Sequence, residues 1–126
     1  MRRPEEVVTR LCEAFGRMDA DELIQYFTDD AVYHNVPLPP LRGRREIYGF
    51  LRGLPVRYEG LEIDILRQIT DGNLVMNERV DYFHREGKRI ALPICGVFEL
   101  EGEKIKSWRE YFDLATLTAA KTKRLG

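Results

Sequence analysis

Three turn signals, Asp71-Gly72, Glu86-Gly87 and Glu101-Gly102, divide the second half of this chain into four long stretches of strand-forming residues. The stretches run from Tyr58 to Ile69, Asn73 to His84, Arg89 to Leu100 and Lys104 to Phe112. Turn dipeptides between successive strands favour hairpins, so the chain is expected to lay down an antiparallel meander. Such a sheet must bury one face, and the first half of the chain supplies the cover.

From Pro4 the apolar residues Val7, Val8, Leu11, Cys12, Phe15 and Met18 recur every three or four positions, the spacing of one buried helical face. Asp19 suits the cap of a second short helix, with Leu23, Ile24 and Phe27 as its apolar face before a turn at Thr28-Asp29-Asp30. The segment Ala31 to Val36 reads as a short edge strand stopped by Pro37, Pro39 and Pro40, which cannot continue a ladder. After Gly43 the residues Ile47, Phe50, Leu51 and Leu54 give a third helix ending at Gly53 and Pro55. Asp113 reads as the cap of a closing helix through Leu114, Leu117 and Ala120. Three N-terminal helices packed on a strongly bent sheet make an α+β fold, and the bend leaves a cavity walled by alternate strand residues.

The 126 residues suffice for one core, so a single domain over residues 1–126 with one site is expected. Twenty Lys and Arg against 21 Asp and Glu give a net charge of -1, which offers no attraction for a polyanion and argues against a nucleic-acid partner. The basic Arg2, Arg3, Lys121, Lys123 and Arg124 fall at the two ends and read as solvated tails. No apolar run is long enough for a membrane span and no secretory leader is visible, so a cytoplasmic protein is expected. Cys12 and Cys95 form no CxxC pair, which argues against a disulfide framework or a metal centre. Both fall in apolar surroundings and read as buried thiols.

Strand alternation selects the candidate site. In one strand Arg79, Asp81 and Phe83 share a face; in another, Trp108, Glu110 and Phe112 do. Between them Leu92, Ile94, Gly96 and Phe98 form an apolar set at matching parity. Two readings remain open from spacing alone. Arg79, Asp81 and Glu110 are either exposed cross-strand ion pairs, or they face a greasy cavity where the charges must be paired. In the second case one guanidinium bridges two carboxylates that resist ionising together, which supplies an acid and a base at once. Tyr33 and Asn35 share a face of the first strand and offer a phenol and an amide that can hold a water. His34 points oppositely and His84 lies near a hairpin end, so both read as structural or exposed.

On these residues the chain resembles the limonene-1,2-epoxide hydrolase family, within the NTF2-like superfamily that includes ketosteroid isomerases and SnoaL-like polyketide cyclases. The similar stretches are Tyr33-His34-Asn35-Val36-Pro37-Leu38-Pro39-Pro40, Glu78-Arg79-Val80-Asp81, and Gly96-Val97-Phe98 leading to Trp108-Arg109-Glu110-Tyr111-Phe112-Asp113-Leu114. The resemblance implies an NTF2-like cone, a mixed but mostly antiparallel sheet enclosing a pocket, and cofactor-free addition of water to a small apolar epoxide. It assigns Tyr33 and Asn35 to a water, Asp81 to protonation of the epoxide oxygen and Arg79 to bridging two acids. The water-activating Asp of the family falls on Glu110, a departure whose extra methylene moves the carboxylate by on the order of 1 Å. Phe83, Leu92, Ile94, Trp108 and Phe112 are expected to line the substrate cavity. The resemblance also implies a homodimer. The same fold supports two other functions, proton transfer on a ketosteroid-like or polyketide-like substrate and non-catalytic binding of a small molecule.

Overall fold

Pro4 can open a helix because its missing N–H would have had no partner there, and the apolar residues that follow repeat with the helical period. In the computed structural model, which describes residues 1–118, α1 (Pro4–Phe15) buries Val7, Val8, Leu11, Cys12 and Phe15 on one face. Met18 falls beyond that helix, in the left-handed region with φ of 49°. Asp19 caps α2 (Ala20–Ile24) by accepting from the backbone N–H groups of Asp21 and Glu22 at 3.0 and 3.3 Å.

The next segment departs from expectation. β1 (Phe27–Asn35) begins at Phe27 and takes in Thr28, Asp29 and Asp30, where helical periodicity and a turn are expected. Long-range pairing explains the change. β1 runs parallel to β6 (Lys104–Tyr111), and five steps from Phe27 to Val32 lie opposite only two from Ile105 to Ser107. The surplus forms an irregularity that leaves Asp29 and Asp30 exposed while Phe27 and Ala31 stay buried. Nor is β1 the edge: β2 (Leu41–Arg42) pairs antiparallel on its outer side, with Tyr33 opposite Leu41.

α3 (Gly43–Arg52) buries Ile47 and Leu51. Pro55 does not end the helical region. It lies in the first turn of a further short helix, α4 (Leu54–Arg57), where proline is tolerated.

β3 (Gly60–Asp71), β4 (Leu74–Arg85), β5 (Lys88–Glu101) and β6 follow as the expected meander. Gly72, Gly87 and Gly102 take φ of 61°, 75° and 61° in the turns. That left-handed conformation is the one that tight hairpins require and that glycine adopts without a Cβ clash. The mixed, mostly antiparallel sheet has the order β2-β1-β6-β5-β4-β3. Register shifts between Ile65 and Arg67 and between Glu99 and Leu100 mark bulges, which bend strands and increase their twist.

The helices cover one sheet face, where Val8, Leu11, Leu23, Ile47, Leu51, Phe98 and Ile105 are fully buried. Trp108 stacks on Tyr33 with centroids 4.4 Å apart and meets Phe15 edge-on at 5.3 Å, which joins sheet to helix. Asp113 caps the residues after the sheet, accepting from the Ala115 N–H at 3.0 Å, and 114–118 are helical. The rest of the expected closing helix, with Ala120, and the basic Lys121, Lys123 and Arg124 lie outside the described residues.

Cys12 is buried, but Cys95 is exposed. Alternation gives the reason: Cys95 lies between Ile94 and Gly96 and so takes the opposite face of β5.

Candidate active site

Alternation along β4 is sharp: Asn77, Arg79 and Asp81 are buried, whereas Glu78 between them is exposed. On β6, Trp108 and Glu110 are buried by the same rule. β5 separates the two strands, so a side chain on it would ordinarily keep Arg79 from Glu110. The position between them is Gly96, which lies opposite Asn77 on one side and Glu110 on the other. A Cβ there would stand 2.5 Å from Arg79 Nη1 and 2.9 Å from Glu110 Oε2. The absent side chain is what allows the ion pair to cross the strand.

Across that gap Arg79 makes two forked contacts. Its Nε and Nη2 donate to the two oxygens of Asp81 at 3.2 and 3.0 Å. Its Nη2 and Nη1 donate to the two oxygens of Glu110 at 2.6 and 3.1 Å. The side chains of Arg79, Asp81 and Glu110 are only 0%, 8% and 3% exposed, which removes the reading of this trio as surface ion pairs. Planar guanidinium geometry suits the task, since a lysine could not present two such forks.

One positive charge cannot fully stabilise two ionised carboxylates away from water. Burial accordingly pushes the Glu110 carboxyl up to about 7, with Asp81 adding to the rise and Arg79 opposing it. Burial also raises Asp81, again against the pull of Arg79. Arg79 itself is held charged: burial works against it, but the two carboxylates prevail. Burial thus raises both carboxyls that share Arg79, and Glu110, raised to about 7, can exchange a proton near neutral pH.

Asp81 and Glu110 both reach the cavity, about 130 Å³ in volume, while Arg79 lies behind them and does not line it. Tyr33 and Asn35 line the same cavity, and the register sets Asn35 directly opposite Glu110. The Tyr33 phenol is kept protonated, chiefly by burial and next by the Glu110 charge. All five residues expected as substrate lining, Phe83, Leu92, Ile94, Trp108 and Phe112, are in the wall. His34 and His84 are elsewhere, bound to the Leu38 carbonyl at 3.0 Å and to Glu62 at 2.6 Å.

Two groups of site residues escape the sequence reading. Asn77 accepts from Arg79 Nη1 at 3.1 Å, and its parity with Arg79 and Asp81 is a signal that could have found it. Phe50, Leu54, Arg57 and Tyr58, from α3, α4 and the residue that follows, join the wall together with Phe15, Leu38, Leu61, Ile63 and Leu117. Their contribution depends on how the helices stack on the sheet, which no local pattern encodes.

Comparison with known proteins gives this geometry a family context. The family model for the limonene-1,2-epoxide hydrolase catalytic domain matches residues 3–123. The epoxide hydrolase EphG of Mycobacterium tuberculosis is 36% identical over 107 residues, covering 85% of this chain and 71% of that protein. Among solved structures, an epoxide hydrolase of this type from M. tuberculosis superposes with a TM-score of 0.81 at 33% identity, over 90% of this chain and 85% of the other. A SnoaL-like polyketide cyclase from Shewanella putrefaciens reaches a TM-score of 0.83 at 16% identity, over 94% and 85% of the two chains, a likeness of fold.

Proposed function

The chain belongs to the limonene-1,2-epoxide hydrolase family, and from that premise we propose that it adds water to an apolar epoxide in one step, without cofactor or covalent intermediate, to give a vicinal diol. The observation that carries this reading is the double fork by which Arg79 holds Asp81 and Glu110 against a mostly apolar cavity.

Tyr33 and Asn35 hold a water beside Glu110. Ionised Glu110 takes one proton from that water as its oxygen attacks an epoxide carbon. The carbon–oxygen bond of the ring breaks, and protonated Asp81 donates its proton to the departing oxygen. The product is a neutral diol, and the proton now on Glu110 must pass back to Asp81, directly or through water, before the next turnover. Arg79 touches both acids and can stabilise whichever is charged at each stage. A base titrating near 7 suits work at neutral pH. Leu92, Ile94, Phe83, Trp108 and Phe112 favour an apolar substrate by offering it few polar partners.

A homodimer forming through the outer sheet face and residence in the cytoplasm belong to the same proposal. Among the described residues no helix is long and apolar enough to cross a membrane. A second reading, proton abstraction next to a carbonyl, is favoured by the same raised carboxyl of Glu110. A single turnover in 18O-labelled water separates the possibilities. Label in the diol alone is expected; label in the Glu110 or Asp81 carboxylate overturns the one-step mechanism. Isomerisation of an unsaturated ketone with no uptake of water favours the second reading.

A further inference from the structure

A guanidinium has five N–H donors. Asp81 and Glu110 together take four from Arg79, and the fifth, on Nη1, goes to Asn77 Oδ1 at 3.1 Å. Asn77 is 2% exposed, and its Nδ2 donates to Gln68 Oε1 on the neighbouring strand at 3.0 Å. Gln68 Nε2 in turn donates to the backbone carbonyl of Glu5 at 3.3 Å and to Thr9 Oγ1 at 3.2 Å, both on α1.

The direction of every bond in this series follows from its anchored end. A backbone carbonyl only accepts, so the Gln68 NH2 faces Glu5 and its oxygen faces Asn77. The Asn77 NH2 must then face Gln68, which leaves Asn77 Oδ1 for Arg79. Neither amide can flip without setting donor against donor or acceptor against acceptor.

We propose that Asn77 and Gln68 are positioning residues: a chain of amides anchored on α1 holds the Arg79 guanidinium in the one plane that serves both Asp81 and Glu110. As a statement about catalysis this rests on the hydrolase reading given above; as a statement about the carboxylates it stands without it. A neutral amide satisfies the last N–H without adding a third negative charge to one cation. The titratable or charged groups that face Glu110 are Arg79 and Asp81 from β4, Tyr33 from β1 and Cys12 from α1. From β5 it meets Gly96, which carries no charge. A carboxylate at position 77 would compete with Glu110 for Arg79, and an unanchored Asn77 could turn its NH2 toward it.

The test titrates Glu110 by carbon-13 NMR of labelled glutamate carboxyls, with Glu110→Gln to assign the resonance, in wild type, Asn77→Asp and Gln68→Leu. Asn77→Asp is expected to raise the Glu110 midpoint by about one pH unit. Gln68→Leu, at a half-buried position, is expected to raise it less, and to lower kcat on an epoxide about tenfold with KM changed by less than about twofold. Unchanged midpoints in both folded variants overturn the proposal. If Asn77→Asp does not fold, Gln68→Leu decides alone: a raised midpoint supports the amide chain and an unchanged one overturns it. Raised midpoints in a protein that turns over no epoxide sustain the amide chain and remove the hydrolase reading. Wild-type epoxide turnover with unmoved midpoints does the reverse.

Discussion

Glu78 meets Arg67 at 3.0 Å, and one residue further along β4, Arg79 meets Asp81 at the same 3.0 Å. The side chains of Arg67 and Glu78 are 80% and 56% exposed; those of Arg79 and Asp81 are 0% and 8% exposed. Distance is therefore not what separates them. Water solvates Arg67 and Glu78 whether or not they touch, so their contact adds little. Arg79 and its carboxylates have lost that solvent, and each depends on the others for its charge. An arginine–carboxylate contact is thus weak on the open face of the sheet and mutually dependent on the covered face.

Arg79→Met tests this contrast most severely, because it leaves two buried acids with no cation. A loss of about 3–5 kcal/mol in unfolding free energy at pH 7 is expected from denaturant titration. A loss under about 1 kcal/mol would put the buried trio on the footing of the exposed pair.

The next effect is on pH dependence. The folded-state value of Glu110, about 7, lies above the ordinary 4.5, so between these values the native state keeps a proton that the unfolded chain releases. The contribution of Glu110 to stability is therefore most favourable below that window and falls as pH rises through it, by up to about 3 kcal/mol. Glu110→Gln should remove that part of the slope. Unfolding free energies measured across this range should fall more steeply in wild type than in Glu110→Gln, and parallel curves would show that burial has not raised the carboxyl. Glu78→Gln marks the small end: less than about 1 kcal/mol in the same titration, with turnover unchanged. A larger loss would mean that exposure does not distinguish the two pairs.

The strands of the meander were legible because glycine turns and two-residue alternation are local signals. Alternation also grouped Arg79 with Asp81 and Trp108 with Glu110, but it could not say whether that face met water, since burial depends on the helices above it. The parallel pairing of β1 with β6 was hidden for a related reason. Thr28-Asp29-Asp30 reads locally as a turn, and only the partner strand converts it into an irregular stretch of β1. Gly96 was visible as part of an apolar set, yet its function as the gap beneath the Arg79–Glu110 contact requires the cross-strand register. Cys95 shows that an apolar neighbourhood in sequence does not mean burial when neighbours point to opposite faces.

Turnover of an apolar epoxide by Glu110→Gln and Asp81→Asn, each compared with wild type across pH, tests the acid–base assignment most directly. Each substitution is expected to lower kcat at least about a hundredfold while the circular dichroism spectrum is retained, and Glu110→Asp is expected to keep or raise activity. Undiminished turnover in either amide variant would contradict the assignment of Glu110 as base and Asp81 as acid.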